Sequence, residues 1–77
     1  MNVRVKCFTG MRRYAPGGQS EFEIVLAEGA QVAQLLAHLN VPADAAAIIA
    51  VNGARAEGDR LLRDGDTVVL FTPMEGG

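Results

Sequence analysis

Two stretches near the start of the chain, residues 2–8 and 21–26, alternate between apolar and polar positions. Such alternation is typical of strands with one face in a core and the other in solvent. The residues predicted to face the core are Val3, Val5, Cys7, Phe22, Ile24 and Leu26. The two strands can pair antiparallel, and residues 9–20, which contain Pro16-Gly17-Gly18, are predicted to form the loop between them.

A helical period follows over residues 30–39, where the apolar positions recur at i, i+3, i+4 and i+7. They are Val32, Leu35, Leu36 and Leu39. The start of this segment lacks a good capping residue, whereas Asn40 and Pro42 mark its end. His38 lies off the apolar stripe, and no second residue at metal-ligand spacing accompanies it, so we expect an exposed His38 and no metal site.

The second half of the chain predicts three further strands. They cover residues 48–51, residues 54–56 and residues 67–72, and the turn signals Asn52-Gly53 and Asp64-Gly65-Asp66 separate them. With one helix crossing the sheet, the first and last strands are expected to be parallel central neighbours. The prediction is an α+β fold of the β-grasp (ubiquitin-like) type, with a mixed sheet of four to five strands packed against one helix.

The C-terminal residues carry the clearest candidate chemistry. Pro73 has no N–H to donate, so the last strand should end there, with residues 1–72 as the domain and residues 73–77 as a flexible tail. Gly76 and Gly77 lack side chains, so this backbone can enter a narrow channel with the Gly77 carboxylate at its tip. A glycine-rich terminus is also typical of an inert, disordered end.

Charge and composition exclude several classes of function. The net charge is −2 and is dispersed along the chain, which argues against nucleic acid as a partner. Arg12 and Arg13, beside Tyr14, are the closest approach to a basic patch and are either a docking element for an acidic surface or part of a solvated loop. Cys7 is the one cysteine, so an internal disulfide is excluded and a structural thiol is expected.

The chain begins directly with strand-like sequence and has no apolar run near the ~20 residues that a membrane span needs. We therefore expect a cytoplasmic protein that does not bind membranes. One histidine, one cysteine on the core side of a strand and scattered carboxylates form no catalytic constellation. The chain is expected not to be an enzyme.

Four segments, in this order, resemble the ubiquitin-like sulfur carriers, and most closely the small subunit of molybdopterin synthase. They are Val51-Asn52-Gly53, Leu62-Arg63-Asp64-Gly65-Asp66, Val69-Leu70-Phe71-Thr72-Pro73 and Gly76-Gly77. The thiazole sulfur carriers of thiamin synthesis share much of this pattern, but they typically begin with a tight hairpin. The dozen loop residues here and the Phe71-Thr72-Pro73 segment favour the molybdopterin side, although Thr72 and Met74 depart from the residues expected in that tail.

The resemblance implies a carrier that binds no cofactor itself. A ubiquitin-activating-type adenylyltransferase would use ATP to convert the Gly77 carboxylate to an acyl-adenylate, and a persulfide donor would then leave a thiocarboxylate. Gly76 would give clearance, and the large catalytic subunit of molybdopterin synthase would receive the tail. The alternatives are a carrier for thiamin or another sulfur-containing metabolite, a protein modifier conjugated through Gly77, and an inert interaction module.

Docking to such partners must use the folded body and the root of the tail. Strand alternation places Phe8 on the face opposite Val5, and Phe71 comes directly before the tail. Each phenylalanine either contributes to an exposed apolar surface or caps the core. The predicted partner-binding residues are Phe8, Arg12, Arg13, Phe71, Pro73 and Met74.

Overall fold

The computed structural model of the protein describes residues 1–42, 45 and 47–73. These residues contain one α-helix, α1 (Val32–His38), and five strands. The strands are β1 (Asn2–Cys7), β2 (Glu21–Val25), β3 (Ile48–Val51), β4 (Ala54–Arg55) and β5 (Thr67–Phe71). They form one mixed sheet in the order β2-β1-β5-β3-β4, which confirms the predicted β-grasp fold.

The sheet is mixed because β1 and β5, which are neighbours at its middle, run parallel while the other strand pairs run antiparallel. β1 pairs parallel with β5, and β2 and β3 pair antiparallel with β1 and β5 respectively. The central strand is β5, so the chain leaves the sheet from its middle, between neighbours on both sides. Both the parallel pairing and the central exit were predicted from the crossover.

The core lies between α1 and one face of the sheet. The alternation in β1 is confirmed, since Val3, Val5 and Cys7 are fully buried. On the last strand Val68 and Leu70 are also fully buried. The helix contributes Val32 and Leu35, which have no exposed surface, and Leu39, directly after the helix, is also buried, as the apolar stripe predicts.

Residues 9–20 are more regular than the loop that is predicted for them. Thr9–Tyr14 and Pro16–Gly18 form two short 3₁₀ turns, and Met11 on the first of them is fully buried in the core. Burial of Met11 explains the order in this segment, because an apolar anchor offsets part of the conformational entropy that a twelve-residue connection loses. No period in the sequence marks so short a 3₁₀ turn.

The helix is shorter than the predicted residues 30–39. As predicted, no usual capping residue stands at its start, where the N-cap is Gln31. The Gln34 side chain accepts a hydrogen bond from the Gln31 N–H, as in a capping box, although glutamine is not a usual capping residue. The predicted end is confirmed. Asn40 has a left-handed φ of 61°, and the next N–H, of Val41, donates to the Leu36 carbonyl over 2.9 Å.

Candidate functional site

The root of the predicted tail lies at the end of the central strand. β5 ends at Phe71, followed by Thr72, which is half-buried, and Pro73, which is exposed. Met74, Gly76 and Gly77 lie outside the described residues, so their roles remain predictions. The structure therefore defines the surroundings from which the tail departs.

One half of the sheet face opposite the core is charged. It consists of Arg4 and Lys6 on β1 with Glu21 and Glu23 on β2. Arg4 lies 3.7 Å from Glu21 and 3.5 Å from Glu23, and Lys6 lies 3.6 Å from Glu21. Because these side chains are between 39% and 65% exposed, the pairs contribute little to stability and mainly keep this half polar.

The other half of the same face is apolar. Its members, which we call the outer apolar patch, are Phe8, Ile48, Ala50, Val69 and Phe71. Phe71 is opposite Ile48 and Val69 is opposite Ala50 across the β3–β5 pairing. Phe8 is 46% exposed and the other four are half-buried, so the patch is accessible from solvent.

Phe8 joins this patch because the parallel register continues past the end of β1. Cys7 is the partner of Leu70, and the Phe8 N–H donates to the Leu70 carbonyl over 2.9 Å. Phe8 therefore lies beside Phe71, on the row of the sheet nearest to the tail root. Of the two alternatives left open for Phe8, its exposure favours the exposed apolar surface over a cap on the core, and the docking role of both phenylalanines remains a prediction.

The two arginines predicted to dock a partner are exposed, but each also has a local contact. The Arg12 guanidinium donates to the Gly18 carbonyl over 3.2 Å, which ties the first 3₁₀ turn to the second. The Arg13 guanidinium carbon lies 6.0 Å from the centroid of the Tyr14 ring, at the outer limit of a cation–π contact. Both cations stay accessible to an acidic partner.

Sequence reasoning missed two polar residues at the tail root. The Thr9 hydroxyl lies 2.8 Å from the hydroxyl of Thr72 and accepts a hydrogen bond from the Thr72 N–H over 2.9 Å. Thr72 was noticed only as a departure from the expected tail sequence. Nothing in the periodicity pairs it with Thr9, because 63 positions separate the two.

The shared Val-Asn-Gly and Asp-Gly-Asp segments have a structural role in the described residues. Asn52 and Gly53 have φ values of 51° and 86°, as a type I′ hairpin turn requires. The Asn52 side chain accepts a hydrogen bond from the Thr67 N–H over 3.0 Å and donates to Asp66 over 2.9 Å. Asp66 also accepts from the Arg63 N–H over 2.8 Å, so one buried carboxylate connects the two turns.

This connection predicts a dependence of stability on acid. Burial by itself raises the pKa of the Asp66 carboxyl, but hydrogen bonds from Asn52 and Arg63 and the positive charges of Arg60 and Arg63 outweigh it and hold that pKa below its ordinary range. A carboxylate with a lowered folded-state pKa stabilises the fold above the unfolded pKa, which is about 4, and that stabilisation is lost as pH falls further. The free energy of unfolding should therefore fall below about pH 4.

Asp66→Asn tests this by urea unfolding at a series of pH values. The variant should lose roughly 1–3 kcal/mol at neutral pH, the usual cost of losing hydrogen bonds to a charged group, and show a shallower acid limb. Asp59→Asn, on an exposed carboxyl of the preceding turn, is the matched control. An acid limb as steep in Asp66→Asn as in the wild type would contradict the assignment.

Cys7 behaves as a core residue in this geometry. It is fully buried, and burial raises the pKa of its thiol above the ordinary value. A thiol that is both inaccessible and harder to ionise is a poor nucleophile. The structural role predicted from the alternation is confirmed.

Alkylation kinetics provide a direct check on Cys7. Iodoacetamide should react with the folded protein about 100-fold or more slowly than with the protein unfolded in guanidinium, because reaction must await opening of the core. The reaction is followed by intact mass. Equal rates in the two states would show that the thiol is exposed and would reopen a chemical role for it.

The tail root, the outer apolar patch and the two turns connected by Asp66 can be compared with known proteins. A family model described as the ThiS family matches residues 5–77. The chain belongs to the ThiS family. Among curated proteins, no sequence match was found.

Solved structures agree with this ThiS-family membership. A putative molybdopterin converting factor, subunit 1, from Pyrococcus furiosus is 34% identical, with 95% of this chain and 98% of that chain covered and a TM-score of 0.78. The thiamine biosynthesis protein ThiS from Geobacter metallireducens is 27% identical, with full coverage of both chains and a TM-score of 0.67. A complex of subunits 1 and 2 of molybdopterin-converting factor from Helicobacter pylori contains a chain with the same fold, at 24% identity, full coverage and a TM-score of 0.70.

The described part of this ThiS-family chain contains neither a cluster of metal-binding side chains nor a membrane-spanning helix. Across residues 1–42, 45 and 47–73, no three or more His, Cys, Asp or Glu side chains group so that they could hold a metal ion. Over the same residues, no helix has the length and apolar character to cross a bilayer. The arrangement presents a tail root and an accessible apolar surface on a folded body.

Proposed function

We propose that this chain is a cytoplasmic sulfur carrier whose Gly77 carboxylate is adenylylated and converted to a thiocarboxylate, and that it supplies sulfur for molybdopterin synthesis. The observation that carries the proposal is the ThiS-family match, which extends over the body and through Gly76-Gly77. It is supported by the position of the tail root, beside the outer apolar patch and at the end of the central strand.

The chemistry needs an activated carboxyl group, because a carboxylate itself has only oxide as a leaving group. A Gly77 oxygen attacks the α-phosphorus of ATP, and pyrophosphate leaves. The terminal sulfur of a persulfide then attacks the acyl carbon, and AMP leaves. A thiol finally attacks the donor-side sulfur of the resulting acyl disulfide, which releases the Gly77 thiocarboxylate and leaves a disulfide between the thiol and the donor.

In this scheme the carrier's body provides position and its partners provide catalysis. The partners are an adenylyltransferase of the ubiquitin-activating type, a persulfide donor and a large acceptor subunit. A tethered thiocarboxylate is presented to the acceptor in an oriented way, which free sulfide cannot match. The outer apolar patch is the surface we assign to docking, because accessible apolar surface next to a reactive tail is what a transient interface requires.

Three observations favour molybdopterin over thiamin as the destination. Identity to the Pyrococcus furiosus molybdopterin converting factor subunit is 34%, against 27% to the Geobacter metallireducens thiamin protein. The Helicobacter pylori complex joins subunits 1 and 2 of the molybdopterin factor, which supports a large acceptor subunit as the partner here. The connection over residues 8–20 is also longer than the tight hairpin of thiamin carriers.

Intact mass of the protein purified gently from its native host tests the carrier chemistry. The proposal expects a species in which one terminal oxygen is replaced by sulfur, and expects more of it after incubation with ATP, the host adenylyltransferase and a persulfide donor. A host from which the gene is deleted should then need an external supply of the products of molybdopterin synthesis for growth, and should not need added thiamin. Detection of carboxylate alone, with Gly77 joined to lysine side chains of other proteins, would instead establish a modifier.

A further inference from the structure

Polar contacts hold Thr72, the first residue after the last strand, against the folded body. β5 has its last strand partner at Phe71, opposite Ile48, so the Thr72 N–H has no ladder acceptor. It donates instead to the Thr9 hydroxyl over 2.9 Å, and the two hydroxyl oxygens are 2.8 Å apart. We call Thr9, Gly10 and Thr72 the tail clasp.

The hydrogen bonds of the tail clasp connect the two hydroxyl groups with the backbone of both segments. The Thr9 hydroxyl is 2.7 Å from the Phe8 carbonyl, to which it can donate, and it accepts from the Thr72 N–H. The two hydroxyls share a hydrogen bond in which either can donate, and the Thr72 hydroxyl also accepts from the Gly10 N–H over 3.2 Å. A Cβ on Gly10 would lie 3.4 Å from the Thr72 side chain, which is the near edge of ordinary van der Waals contact, so Gly10 packs directly beside Thr72.

Thr9 adopts a costly conformation to make these contacts. Its φ is 53°, in the left-handed region that β-branched residues rarely occupy. Strain of this kind persists where surrounding contacts hold it, and it occurs often at functional sites. Thr9 makes its contacts to the tail root in this conformation.

We propose that Thr9 and Thr72 are positioning residues, which fix the direction in which the tail leaves the body beside the outer apolar patch. This inference rests on the proposed function. The four residues after Pro73 can span at most about 14 Å, so the direction at the root limits where the Gly77 carboxylate can be placed in a docked partner. A released Thr72 would add a freely rotating residue and spread the tip over a larger volume.

Amide hydrogen exchange of the full chain tests the tail clasp without any partner. Thr9→Val keeps the shape and the β-branching of threonine and replaces its hydroxyl with a methyl group. Exchange of the Thr72 amide should become about tenfold faster in Thr9→Val, the usual effect of losing one hydrogen bond, and should stay near the wild-type rate in Thr9→Ser. Thr67→Val, at the opposite end of β5, is the control and should leave it unchanged. Equal Thr72 exchange in the wild type and Thr9→Val overturns the clasp.

Activation kinetics then test the positioning role, with ATP–pyrophosphate exchange by the host adenylyltransferase as the readout. Thr9→Val and Thr72→Val should lower kcat about tenfold and change KM less than about twofold, because docking is intact while the tip is misplaced. Thr9→Ser should restore kcat. If kcat is unchanged in variants whose Thr72 amide has lost its protection from hydrogen exchange, the positioning role alone is overturned. If even the wild type gives no ATP–pyrophosphate exchange, the proposed function and the positioning role are both overturned. Hydrogen exchange of the Thr72 amide needs no partner, so it shows separately whether the tail clasp exists.

Discussion

One alanine appended after Gly77 is expected to abolish activation, lowering the rate of ATP–pyrophosphate exchange by at least about 100-fold. The added residue moves the carboxylate by up to about 3.6 Å and brings a methyl group into a channel that we infer accepts glycine only. A shift of about 1 Å already costs such a factor when reacting atoms must be in line.

A chain with an added glycine is the informative companion to the alanine variant. It moves the carboxylate without adding a side chain, so a similar loss would assign the effect to distance and a smaller loss would assign it to steric exclusion. Neither addition should change the urea midpoint, because the last strand ends at Phe71. Thiocarboxylate on an alanine-extended chain, formed at the wild-type rate and verified by intact mass to be untrimmed, would contradict the carrier mechanism.

Phe71→Ala is expected to raise the KM for the host adenylyltransferase about 10- to 30-fold with little change in kcat. Phe71 lies at the tail root and between Phe8 and Ile48 in the outer apolar patch, where a buried aromatic anchor in an interface is worth about 2 kcal/mol. The effect falls on KM because the tail and its glycines are unaltered.

Val25→Ala is the matched control for this surface. Val25 is 71% exposed on the same sheet face, but it lies on the edge strand β2, beyond the charged half. The KM of the host adenylyltransferase for Val25→Ala should stay within about twofold of that for the wild type. Urea unfolding of both variants checks the fold, since a half-buried phenylalanine also contributes to stability. Wild-type KM in a folded Phe71→Ala protein would exclude this residue from docking.

The sequence was a good guide where structure depends on near neighbours. Alternation identified the buried face of β1, and the 3.6-residue period identified the apolar stripe of α1, since both follow from local backbone geometry. Turn chemistry at Asn52-Gly53 and at Asn40 was also readable, because positive φ restricts the residues that are accepted there. The helix start has no usual capping residue, as expected, but the hydrogen bond from the Gln31 N–H to the Gln34 side chain was not predicted, because glutamine is not among the preferred capping residues.

The Gly-Gly end, the order of the strands around one helix and the family to which the chain belongs were all determined by the sequence alone. The tertiary structure alone decided that Met11 enters the core, that Asn52 and Asp66 join two turns, and that Thr72 is held by Thr9. It also decided that the outer apolar patch, formed by β3, β5 and Phe8, borders the tail root. The physical reason is that a period reveals which face of an element is buried, whereas contacts between residues far apart in the chain depend on the register that the whole sheet adopts.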